Sequence, residues 1–126
     1  MLQINKYMVI NDLTVMYGNQ KSYYGKAKVL FPKWVNKVVL RSYDTNVCSL
    51  NLDEQKVELN GYHSMTTNRH EWDFLNQFIP DFGEVYKAIC ESQKINSFKK
   101  FLEQVRTIDL VKKTYKVRDT YVTYYY

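Results

Sequence analysis

The spacing of apolar residues changes once along this chain, and that change limits the fold more than any other feature. Before about residue 64 the apolar residues come in short, β-rich runs between turn signals. "KAKVLF" alternates Ala27, Val29 and Phe31 against Lys26 and Lys28, a period near two that Pro32 ends. "KVELNG" places Val57 and Leu59 on one face and Lys56 and Glu58 on the other. With "TNVCSLNL" before it and "DEQ" between, it predicts a hairpin. "KVVLRSY" and "TNVCSLNL" read as one long strand, or as two with a bend at Asp44. "KYMVI" and "LTVMY" read as strands on either side of an Asn11-Asp12 turn. "YGNQKSYYG" reads as a loop.

After "YHSM" the period becomes helical. Phe74 and Phe78 are four apart, with His70 one turn before Phe74. Thr66, Thr67 and Asn68 are alternative caps, and Asn68 with Glu71 resembles a capping box. Pro80 closes this helix. A second helix is predicted from about Phe82 to Ser92. A third starts near Asn96 or Ser97, with Phe98, Phe101, Leu102 and Val105 at i, i+3, i+4 and i+7. The end, "KKTYKVRDTYVTYYY", is β-branched and aromatic and predicts strand, with a hairpin about Arg118-Asp119. Strands, then helices, then strand predict one α+β domain over residues 1–126. The expected sheet is antiparallel with four to six strands, and about three helices fall mostly in the second half.

Chemistry is harder to find. "HEWDF" begins like a zinc-protease helix, but Phe74 stands where the second histidine must be. Two histidines and two cysteines, Cys48 and Cys90, show no metal or redox spacing, so neither metal nor cofactor is expected. Glycine-rich phosphate loops and the nucleophile-elbow pattern are absent. A small hydrolase using His70 is the remaining enzymatic reading, and a non-catalytic binding protein is expected instead. No stretch has the apolar length of a membrane span, so no membrane partner and a cytoplasmic location, inside the cell that makes the protein, are expected.

The net charge of +5 is uneven. From Lys94 to Tyr126 there are eight Lys/Arg against three Asp/Glu, while residues 1–93 balance at ten of each. Lys112, Lys113, Tyr115, Lys116, Arg118, Tyr121 and Tyr124 combine cations with stacking faces, a mixture that tracks nucleic acid or an acidic protein surface. The plain alternative is a strand whose tyrosines pack on the helices and whose lysines protect an edge. Arg69 and Trp72 are further binding candidates.

Three segments carry a resemblance. Tyr24, Gly25, Lys26 and Ala27 come first, then Ser42, Tyr43, Thr45 and Val47. Gly61, Ser64, Thr66, Thr67, Arg69, His70, Phe74 and Leu75 follow. Together they resemble a family of small, uncharacterised proteins from phages, plasmids and other mobile elements of Gram-positive bacteria. The resemblance covers about residues 20 to 78. Trp72 departs from it, standing where a small or polar residue is expected. The resemblance implies context rather than mechanism. Small mobile-element proteins are often counter-defence factors, of which anti-CRISPR proteins are one class. It therefore implies a stoichiometric inhibitor of a host defence nuclease such as a Cas effector, a host protein or ribonucleoprotein. A nucleic-acid-binding accessory protein of the element is the alternative. On this reading "SMTTNRHEWDFL" chiefly fixes a strand-to-helix junction, and the partner surface lies later in the chain.

Overall fold

A computed structural model describes residues 3–4, 8–16, 20 and 22–126. Its strands form one antiparallel meander in which every strand pairs with its neighbours in sequence. In order they are β1 (Gln3–Ile4), β2 (Met8–Asp12), β3 (Ala27–Pro32), β4 (Lys37–Ser42), β5 (Thr45–Asn51) and β6 (Lys56–Leu59), then β7 (Val105–Asp109), β8 (Thr114–Val117) and β9 (Thr120–Thr123). Between β6 and β7 the chain leaves the sheet to form α1 (Met65–Phe78), α2 (Phe82–Gln93) and α3 (Phe98–Gln104).

The α+β class, the antiparallel sheet and the three helices are as expected, but the strand number is not. The sheet has eight strands of four to seven residues besides the two-residue β1, against the expected four to six. One reason is β7. Val105 completes the apolar stripe of α3 in sequence, yet its backbone is already extended at φ −86°, ψ 127°. It caps the helix and begins "VRTID", whose β-branched residues suit a sheet. Ile108 then pairs with Val57 of β6, across a gap that holds all three helices. A second correction concerns the start. Asn11 and Asp12 pair with Val29 and Lys28 inside β2 rather than turning the chain. Leu13–Met16 is irregular, and Tyr17 of "LTVMY" and Lys6 and Tyr7 of "KYMVI" lie outside the described residues.

The hairpins follow their turn chemistry. β4 and β5 are separate strands turned at Tyr43-Asp44, with Tyr43 in the left-handed region at φ 55°. β8 and β9 turn at Arg118-Asp119, with Arg118 at φ 56°. Left-handed Lys94 closes α2, and the next N–H, that of Ile95, reaches Cys90 O at 2.9 Å. Buried Ile95 completes this C-terminal cap.

Alternation divides the sheet into two faces. The inner face presents Val29, Val38, Leu40, Leu50, Val57, Leu59, Ile108 and Tyr115, all buried. Against it pack Phe74 and Leu75 of α1, Phe82, Val85 and Ile89 of α2, and Phe101 and Leu102 of α3. The first helix lies over β4 and β5, and the third over β7. Lys28, Arg41, Lys56, Glu58 and Lys116 alternate with the inner residues and face the other way. No helix among the described residues is long and apolar enough to cross a membrane.

Candidate functional site

The first helix begins two to three residues earlier than its threonines suggest. Ser64 is the N-cap, and its Oγ accepts from the Thr67 N–H at 3.1 Å. Thr66, Thr67 and Asn68 are therefore inside the helix, and the Asn68–Glu71 capping box does not form. The shift gives α1 two differently used faces.

The inward face is unusually polar. Ser42 Oγ of β4 lies 2.8 Å from Thr67 Oγ1 and 2.8 Å from His70 Nδ1. All three residues are buried. The Tyr23 ring meets the imidazole edge-on at 4.4 Å, and Tyr43 lies at 6.0 Å. Burial holds the His70 pKa below its ordinary value, so the ring is neutral at physiological pH. Ser42 and His70 resemble a nucleophile and its base in outline, but Tyr23 and Tyr43 flank the imidazole and the adjoining cavity is not lined by either member.

Asp73 is also buried. Its Oδ2 accepts from the Tyr23 hydroxyl and, at 3.2 Å, from the Met16 N–H. Gln77 Nε2 donates to Thr14 O at 2.6 Å. These bonds tie the segment between β2 and β3 to α1. Glu71 has no such account. It is fully buried, and neither carboxylate oxygen has a hydrogen-bond partner among the described residues. Desolvation pushes its pKa up to about 8, so it is mostly protonated at neutral pH. Buried Cys48 of β5 is near enough for the two groups to interact electrostatically.

The outward face of α1 meets α2 and α3 around a cavity of about 310 Å³. Tyr23, Asn68, Arg69, Trp72, Asp73, Tyr86 and Phe98 line it. Trp72 is half-buried and packs edge-to-face against Phe82, Tyr86 and Phe98 at 5.7, 5.2 and 5.0 Å. Arg69 is exposed and makes no hydrogen bond or ion pair among the described residues. Asn68 Oδ1 is buried and has no hydrogen-bond partner among the described residues. A volume of this size falls at the lower end of small-ligand pockets and accommodates a large side chain. An apolar wall and a guanidinium without a partner among the described residues thus meet in one place.

The basic and aromatic residues of the C-terminal segment do not meet in this way. Tyr115 and Tyr124 are buried with their rings 6.4 Å apart. The Tyr115 hydroxyl donates to Ser92 Oγ at 2.9 Å and accepts from Gln93 Nε2 at 2.8 Å. Lys116 and Tyr121 pair across β8 and β9 on the opposite face, with the ammonium 5.5 Å from the ring centre. Lys112 and Lys113 sit in the β7–β8 turn, and Arg118 sits at the other end of β8. The seven residues are spread over two faces and two ends of the sheet.

Of the sequence candidates, Arg69 and Trp72 share a cavity. Tyr23, Asn68, Asp73, Tyr86 and Phe98 join them and were not singled out as binding residues. Phe98 is legible in the sequence only as part of a helical stripe, and Asn68 only as a cap. No group of three or more His, Cys, Asp or Glu among the described residues is placed to hold a metal ion. Cys48 is in the core, whereas Cys90 is half-buried at the surface of α2.

Residues 11–94 match a family described as Family of unknown function (DUF8033), and the chain belongs to it. The match runs from the end of β2 through β3 to β6, α1 and α2, and so takes in every residue of the Arg69 cavity except Phe98. No curated protein and no solved structure matches the chain.

Proposed function

We propose that this member of the family acts by stoichiometric binding to a partner protein, with the Arg69–Trp72 cavity as its recognition site. The observation that carries this reading is the convergence on one cavity of Arg69, which has no hydrogen bond or ion pair among the described residues, and the Trp72–Tyr86–Phe98 wall. Tryptophan, tyrosine and arginine are the residue types that dominate binding energy at protein interfaces. Burial of Ser42 and His70 supports binding over hydrolysis, since a substrate would have no direct path to them. The mobile-element resemblance supports a host defence nuclease, such as a CRISPR-Cas effector in the host cytoplasm, as the partner. Inhibition would then proceed by occlusion.

Pull-down against purified Cas effectors, with a target-cleavage assay, tests this reading. The expected result is one-to-one capture, loss of cleavage, and at least about tenfold weaker binding for Arg69→Ala and Trp72→Ala. Arg69→Ala should leave the melting temperature unchanged. Full binding by both variants would remove the cavity from the interface. No capture across the effector types would remove the nuclease as partner.

A further inference from the structure

We infer that the Arg69 cavity is one end of a longer groove, and that its occupant is an acidic linear segment of the partner protein carrying an aromatic anchor. This rests on the binding reading above and adds the chemistry of the ligand.

A second cavity of about 510 Å³ lies beside the first and shares Tyr86 with it. Lys87, Cys90, Glu91, Lys94 and Ile95 help to line it. Two adjoining cavities with a common wall suit an extended chain better than a compact small molecule. Charge selects among extended chains. Arg69, Lys87 and Lys94 are exposed along the groove, against exposed Glu91. Asp73, the other acid, already accepts from Tyr23 and Met16. The available charge is therefore positive, and an acidic ligand complements it.

The aromatic wall narrows the choice further. An inorganic anion would engage Arg69 and Lys94 and leave the Trp72–Phe98 wall uncovered. One polypeptide segment can present carboxylates to both cations and an aromatic side chain to the wall. Its aromatic side chain would enter between Tyr23 and the Trp72–Phe98 wall.

A single nucleic-acid strand also seeks cations and aromatics, but it needs open ring faces for its bases. Here the rings pack edge-to-face on one another, with interplanar angles of 82° for Trp72–Tyr86 and 78° for Trp72–Phe98. They form a wall rather than a stacking platform.

The probe is the peptide acetyl-Asp-Glu-Phe-Asp-Glu-amide, followed by amide NMR and by alkylation of Cys90. Cys48 is buried, so alkylation reports on the groove. The expected result is shifts at the Asn68 side-chain amide and the Trp72 indole, with Cys90 alkylation slowed about threefold or more at saturation. The Ala-for-Phe peptide and the Lys-for-acid peptide should cause neither. Arg69→Ala and Lys94→Glu should each weaken the acidic peptide about tenfold. No shift at millimolar peptide, or equal response to the lysine peptide, overturns the inference. Preference for oligo-dT over the acidic peptide overturns it in favour of nucleic acid. If the peptides fail while Arg69→Ala still abolishes partner binding, the ligand class is wrong and the binding reading stands. If the acidic peptide binds as expected while no effector is captured, the ligand class stands and the proposed partner is wrong.

Discussion

Replacing Glu71 with Gln should stabilise the protein, and by an amount that depends on pH. The carboxyl is buried in the core with no hydrogen-bond partner for either oxygen among the described residues. Its pKa rises from an ordinary 4.5 to about 8 on folding. Between those values the unfolded chain releases the proton and the folded chain keeps it. The folded state then binds more protons, so stability falls as pH rises, at about 1.4 kcal/mol per pH unit. At pH 7 the accumulated loss is about 3 kcal/mol, a large share of the roughly 5–15 kcal/mol that holds a domain together. Above pH 8 both states are ionised and the loss stops growing. Glutamine matches the shape of the acid and cannot ionise, so the variant lacks this dependence. His70 titrates the other way. Its depressed pKa makes stability fall as pH drops below about 6.5, but it is present in both proteins and cancels in their difference. Urea unfolding followed by tryptophan fluorescence, from pH 5 to 9, measures that difference. The stability gap between variant and wild type should widen steadily to about pH 8 and then level off. A gap that stays flat would refute the reasoning, because it would mean that Glu71 is solvated or paired in the folded state.

Four further substitutions test the description of the fold. Ser42→Ala removes the hydroxyl shared by Thr67 and His70 and should cost about 1–3 kcal/mol by thermal or urea unfolding. Tyr115→Phe keeps the ring and loses the bonds to Ser92 and Gln93, and should cost about 1 kcal/mol in the same assay. Tyr124→Ala should destabilise by about 3 kcal/mol by opening a buried site, whereas Tyr121→Ala on the outer face should stay within about 0.5 kcal/mol. Equal effects of these last two would contradict the burial of Tyr124 and the exposure of Tyr121.

Local pattern made much of this fold legible. Val57 and Leu59 alternate inward as their spacing predicts, and α2 spans Phe82–Gln93 against the predicted Phe82 to Ser92. Arg118-Asp119 turns the last hairpin. What local pattern does not carry is pairing between distant segments. The junction of β6 and β7 joins residues on either side of three helices, and nothing in "VRTID" names its partner. Val105 fits an apolar helical stripe and a strand equally well, so periodicity alone placed it in α3. The cap failed for a related reason. Several good cap residues occur in a row, and burial of Thr67 and His70 against Ser42 accompanies a helix that starts at Ser64 rather than at a threonine. The cavity was half legible. Arg69 and Trp72 stand out by composition, but Tyr23, Tyr86 and Phe98 come from three other parts of the chain.

The stretch "SMTTNRHEWDFL" was expected mainly to fix a strand-to-helix junction, with the partner surface later in the chain. Helical geometry lets it do more. Thr67, His70, Glu71 and Phe74 recur at three- and four-residue steps and face the sheet. Ser42, Thr67 and His70 all belong to the three-segment pattern, and they meet in one hydrogen-bonded cluster. That part of the pattern is therefore architectural: it holds α1 against β4. Asn68, Arg69 and Trp72 occupy the positions between, and the same rotation that buries the first set turns the second toward α2 and α3. Trp72, the residue that departs from the pattern, supplies the wall of the cavity. If the inward set fixes where α1 sits, the outward set can vary without loss of fold. Specificity for a partner would then reside at Trp72 and at Phe98, which lies beyond the matched segment.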